Sequence, residues 1–210
     1  AGSASHVEGQ DNHVHGNYCH GEGKSTKVYG QSAHAEGEST EAHDFAHAEG
    51  RFTIASGTES HAEGRHTTAS AAYSHAEGED TTASGDNSHA EGDTTTASGT
   101  CSHAEGANNE ALGDYSHVEG QGNEANTSYQ HVQGKYNVAD DTMQMIIGYG
   151  TNVSSTITRK NIFTVDKTGN IQCGQSDTSG VFTGHYGTVN GVDLVQLAAD
   201  VAAIKAHLGI

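Results

Sequence analysis

A histidine that returns every fourteen residues limits what this chain can fold into more than any other feature. The series is His6, His20, His34, His47, His61, His75, His89, His103, His117 and His131, with every step 14 residues except the 13 between His34 and His47. Glutamate follows two positions later in all copies but the last, from Glu8 to Glu119, and Gln133 stands in the tenth. Glycine comes next each time, from Gly9 to Gly134. Fourteen residues are too few for a helix-turn-helix repeat but suit one coil of a β-solenoid, with two short strands and two turns.

The most regular units read S-H-A-E-G-x-x-T-T-A-S-G-x-x, as in Ser74–Asn87 and Ser88–Cys101. In the strand SHAEG, His and Glu point to one face, and Ser and Ala to the other. TTASG alternates in the same way and repeats a small residue at Ala55, Ala69, Ala83, Ala97, Ala111 and Ala125. Gly57, Gly85, Gly99 and Gly113 then mark a corner, where a positive φ or close backbone approach excludes larger residues. Ala71 at the equivalent position implies a negative φ there. The 13-residue step, around Asp44 and Phe45, should tighten or displace one turn.

If Ala76, Ala90 and Ala104 face inward, the roll is too thin for Leu or Phe. Only 32% of the residues are hydrophobic and the formal charge is −18, a balance that without a repeat would suggest disorder. Burial is worth about 25 cal/mol per Å², so order in such a thin coil must come from backbone bonds between coils and from neighbouring chains. A homotrimer about a long axis would supply the missing burial.

His and Glu occupy the face opposite these alanines. That face either meets solvent or lies against other chains. Solvated decoration needs no particular residue type, whereas histidine is constant across the copies and positions such as Glu79, Asp93 and Ala107 vary. This favours a polar interchain seam formed by His61, Glu63, His75, Glu77, His89, Glu91, His103 and Glu105, in which imidazoles donate to carboxylates of a neighbouring chain. Acid below about pH 5 should then weaken the assembly. His13 and His15 share a strand face and, with His20, could offer imidazoles to a metal on the trimer axis. The alternative is that they are exposed, and no metal or other cofactor is assigned.

Residues 1–134 form the repeat region. Residues 135–190 read as a small β-domain, with strands at Met143–Tyr149, Ile162–Asp166 and Gly169–Cys173 and a hairpin connection at DKTGN, Asp166–Asn170. Residues 191–210 change period. Leu194, Leu197, Val201, Ile204 and Leu208 are spaced 3, 4, 3, 4, an a/d stripe on a helix with Asp193 at its start. The expectation is a short coiled coil that joins the trimer interface. An amphipathic helix packed on the β-domain is the other reading.

Acidic residues number 27 against 9 basic ones, which argues against nucleic acid as a partner. No apolar run is long enough to span a bilayer and no secretion signal is visible. Cys19, Cys101 and Cys173 share no close spacing and read as reduced thiols of a protein made in a cytoplasm.

The SHAEG…TTASG units resemble the left-handed parallel β-roll heads of trimeric autotransporter adhesins. They resemble more closely the SHAEG repeats of tail-fibre and appendage proteins in phages and prophages of Gram-positive bacteria. HVQGKYNVADD, His131–Asp141, and FTVDKTGNI, Phe163–Ile171, also resemble the segments that succeed the repeats in that phage group. The resemblance implies a homotrimer with the His-Glu face towards the axis, although in the adhesin heads the matching positions are often aliphatic. It implies a non-enzymatic virion fibre of a phage tail or appendage, with other virion proteins and host cell-wall carbohydrate as partners. Tyr129, Tyr136, Tyr149, Phe182 and Tyr186 are candidates for stacking on sugars or for packing. A bacterial trimeric surface adhesin is the alternative. A depolymerase is a lesser one: Asp140, Asp141 and Asp166 are acidic candidates only by location, and ladder periodicity explains the many Ser, His and Asp better than a catalytic triad does.

Overall fold

A computed structural model describes residues 3–173 continuously and, beyond them, 175–176, 182–183, 188–189, 192–193, 204, 205 and 207. The repeat folds into a parallel β-solenoid. Each SHAEG segment starts a strand of one sheet, from His6–Gln10 to His131–Lys135, and each TTA segment one of a second sheet, from His13–Val14 to Glu124–Ala125. Each strand of the repeat pairs in parallel with its equivalent one coil away, His on His and, in the regular coils, Ala on Ala. The coil-to-coil bond runs from a residue's N–H to the carbonyl 13 positions on, as in His61 N to Ser74 O and His75 N to Ser88 O, both 2.9 Å.

The core is one methyl group thick on each side. Ala62, Ala76, Ala90 and Ala104 from the first sheet meet Ala69, Ala83 and Ala97 from the second, and all are fully buried. Larger residues enter with compensation. Val14 and Val28 project from the second sheet where the first carries Gly21, and a Cβ on Gly21 would approach Val14 Cγ2 to 2.7 Å. Towards the other end Val118, Val132 and Ile146 replace the first-sheet alanine.

Both corners carry a residue in the left-handed region, and most of these are not glycine. One series runs through Phe52, His66, Asp80 and Thr94, the other through Glu59, Tyr73, Asn87 and Cys101, with φ between 53° and 58°. Each such conformation costs about 1–2 kcal/mol. It is offset because the αL residue's N–H turns along the axis to the preceding coil, as from His66 to Arg51 O and Tyr73 to Thr58 O. The bond uses backbone alone, so the side chain is free to vary. Gly57, Gly85, Gly99 and Gly113 lack positive φ, as does Ala71. Close approach to the next coil's backbone sets their size. The one-residue deletion stays within the second corner, and pairing on both sides keeps its register, His34 on His47 and Ala42 on Ala55.

Inward Thr gives way to Asn near both ends. The amide of Asn123 donates to Glu119 O and Gly134 O at 2.8 Å each, and its Oδ1 accepts from Asn137 N at 3.0 Å. These side chains take over bonds that the backbone makes elsewhere.

The first sheet continues past the repeat. Met143–Tyr149 pairs in parallel with His131–Lys135 at the same 14-residue offset, so Met145, Ile146, Ile147 and Gly148 take the places of His, Ala, Glu and Gly. Residue 134 therefore marks a change of sequence rather than of sheet. Asn161–Asp166 and Ile171–Cys173 then add antiparallel strands, and Arg159 Nη1 ties this region back by donating to Gly122 O at 2.7 Å. DKTGN is a hairpin connection: Asp166 Oδ1 accepts from Thr168 N at 2.8 Å and from Asn170 N at 2.9 Å. Hydrogen bonds from Thr168 and Asn170 hold the Asp166 carboxyl far below the usual carboxylate range. A further hairpin, Thr151–Val153 with Thr156–Thr158, turns through Ser154 and Ser155 at positive φ and had no clear sequence signal.

The expected C-terminal coiled-coil helix is corrected. Among the described residues all the named elements are strands, and Val192–Asp193 pairs with Thr188–Val189 where the helix was expected to begin. Of the residues described beyond Asp193, Ile204, Lys205 and His207 have helical geometry, and Ile204, expected at the helix interface, is exposed. Leu194, Leu197, Val201 and Leu208 lie outside the described residues. Two heptads are marginal for a free helix, so an a/d pattern of that length cannot establish one. No helix among the described residues is long and apolar enough to cross a membrane.

Candidate functional site

The outer face of the first sheet carries two parallel ladders, one of imidazoles and one of carboxylates. Strands in a sheet lie about 4.8 Å apart, and in-register pairing transfers that spacing to the side chains. From His34 to His117 consecutive rings stack with centroids 4.6–4.9 Å apart and planes within 8°. The stack loosens at its ends, with 49° between His20 and His34 and 81° between His117 and His131. All eight seam residues expected between His61 and Glu105 stand on this face.

Within one chain the imidazoles already have carboxylate neighbours, and the choice of neighbour changes along the roll. His20, His34, His47 and His61 each approach the Glu of their own coil, at 3.3–3.9 Å. His89, His103, His117 and His131 instead approach the Glu of the preceding coil, at 3.3–3.8 Å. The change falls at His75. Few of these contacts are hydrogen bonds. Nε2 of His34, His47, His61, His75, His89 and His117 is buried with no hydrogen-bond partner among the described residues. Sequence periodicity located the ladders, but only side-chain geometry reveals this alternation.

Partial burial, followed by repulsion from neighbouring rings, holds the His34, His47 and His61 imidazoles below their ordinary pKa. Glu36, Glu49 and Glu63 oppose this without reversing it. The folded state therefore binds protons less readily than the unfolded chain. The stabilising effect is complete above the unfolded value of 6.5 and is lost as pH falls from there towards the folded values. The melting temperature should therefore drop between pH 7.5 and 5.5, as the unfolded chain takes up protons that the folded rings resist. Replacing all three histidines by Gln should flatten that dependence. An unchanged slope in the triple variant would remove these rings as its source.

His13, His15 and His20 are not brought together within the chain. His13–Val14 belongs to the second sheet and His20–Lys24 to the first. His13 and His15 do share a face, and His15 stacks on Tyr29 with centroids 5.9 Å apart. Among the described residues the groups able to hold a metal lie on the ladders: His75–Glu77–His89, Glu91–His103–Glu105 and Glu105–His117–Glu119.

A second feature lies along one corner. Tyr18, Phe45, Tyr73, Tyr115 and Tyr129 occupy its αL position and are half or more exposed, and Tyr115 and Tyr129 stack with centroids 5.0 Å apart. Beside Tyr129 lies an open, polar-walled depression of about 670 Å³, bounded by Asn126, Thr127, Ser128, Gln144 and Lys167. Of the other aromatic candidates, Tyr136 is buried, Tyr149 is exposed, and the Phe182 side chain and Tyr186 lie outside the described residues. Asp140, like Asp166, caps its own turn, accepting from Thr142 N and Oγ1 at 2.9 and 2.6 Å.

No family model matches the sequence, and no curated protein matches it.

Proposed function

We propose that this chain forms a homotrimeric, non-enzymatic fibre segment of a phage tail or appendage and contributes to attachment at the host surface. The repetitive β-solenoid is a structural, fibrous fold. The observation that carries the trimer is the row of buried, unpartnered Nε2 atoms at His34, His47 and His61 on the outer face of the first sheet. Buried polar atoms normally have partners, and carboxylates of neighbouring chains at the same height would supply them at these three rungs. The virion assignment draws on the resemblance of the SHAEG units to phage appendage repeats.

The protein should sediment at three times its chain mass of 21.7 kDa. His47→Glu with His61→Glu, which adds like charge to the seam, should shift it towards monomer. A wild-type monomer at micromolar concentration would overturn the trimer.

Attachment is assigned to the aromatic corner. Tyr115 and Tyr129 offer a π surface to a sugar ring, and the hydroxyls and amides beside Tyr129 offer hydrogen bonds. Fluorescently tagged protein should label purified Gram-positive cell walls, and Tyr115→Ala with Tyr129→Ala should weaken labelling several-fold without changing the assembly. Release of soluble sugar from those walls would point instead to a depolymerase.

A further inference from the structure

We propose that His75, Glu77 and His89 form a binding site for one divalent transition-metal ion of the zinc class, bridging two consecutive coils. Their donor atoms, two imidazole nitrogens and one carboxylate oxygen, all lie within 4.8 Å of one another. Two imidazoles and a carboxylate suit zinc and leave a coordination position for water or a further ligand.

The site arises where the ladder changes partner. In the preceding coils each imidazole approaches its own glutamate, as His61 does Glu63 at 3.5 Å. In the following coils each approaches the previous coil's glutamate, as His89 does Glu77 at 3.6 Å. At the changeover Glu77 has His75 on its own strand and His89 reaching towards it from the next, so two imidazole nitrogens and a carboxylate oxygen lie close together. The other two candidate triads have one imidazole each and would have to share Glu105.

A second observation concerns the same donors. Nε2 of both His75 and His89 is buried and has no hydrogen-bond partner among the described residues. An imidazole nitrogen without a hydrogen bond is an unmet donor or acceptor, and a metal ion satisfies both rings at once. Zinc holds such ligands at about 2.0–2.2 Å, so the donor atoms must close in by about an ångström. Side-chain rotation on an outward face permits this. The rings stack 4.6 Å apart and 1° from parallel, so the ion would staple neighbouring strands of a roll with little apolar core.

The test is zinc binding by the full chain, stripped with chelator and titrated calorimetrically with zinc chloride at pH 7.5, with the absorption of bound cobalt(II) as a second readout. Wild type should take up at least one ion per chain and melt at a higher temperature when loaded. His89→Gln should lower affinity for that ion at least about tenfold. His66→Gln, on a corner away from the ladders, should leave it unchanged. Glu77→Gln, outward and nearly isosteric, must weaken binding too, and replaces His89→Gln in the comparison should that variant not fold. Failure of wild type to bind zinc, or equal losses in the His66 and His89 variants, would overturn the site. Zinc binding by a monomer would leave the site standing while the trimer falls.

Discussion

Gly92→Ala should destabilise the roll by more than about 3 kcal/mol, close to the limit of what one substitution does. Gly92 has φ +105°, and an added Cβ would collide with the carbonyl oxygen of Gly106 in the next coil. The conformation alone costs a non-glycine residue about 1–3 kcal/mol. The collision cannot be relieved locally, because Gly106 is itself fixed against Gly120. Gly99→Ala is the control. Its Cβ would also meet backbone, at Gly113, but φ there is not positive, and Ala71 and Thr127 occupy equivalent corners. The loss should therefore be smaller, about 1–2 kcal/mol. Urea midpoints at constant slope measure both. Equal losses would mean that φ plays no part.

Ala90→Leu should cost about 3 kcal/mol or more, at the upper end for overpacking. The side chain points between two sheets held apart by alanine methyls, with Ala83 and Ala97 opposite and fully buried. A wider branch would push the sheets apart along several coils, because in-register pairing transmits the shift. Ala104→Val should be much milder, about 1 kcal/mol, since the next coil already buries Val118 at that position. The same melts report both. An Ala90→Leu variant as stable as wild type would mean that the roll is not closed on its alanines.

The solenoid was legible because each coil repeats one solution. Alternation placed alanine inside and His with Glu outside, and the fourteen-residue period set the pairing register. The strand at Met143–Tyr149 was legible as a strand, but its place as the next rung was hidden because methionine and isoleucine replace the motif. The αL corners were invisible for a physical reason. Their strain is offset by a backbone bond to the preceding coil, so residues as different as Phe52, Asp80 and Thr94 occupy them. The a/d stripe after Asp193 shows the opposite limit: a local period suggested a helix, and the residues at its expected start form a strand instead.

The sequence by itself determined the coil, its register and the faces of its strands, because these follow from period and alternation within one or two repeats. Tertiary structure decided what the histidine face contains. Stacking at strand spacing, the change of glutamate partner at His75 and the unpartnered Nε2 atoms depend on side-chain torsions set by contacts between coils. The recurring His and Glu of the motif do not by themselves encode a difference between coils.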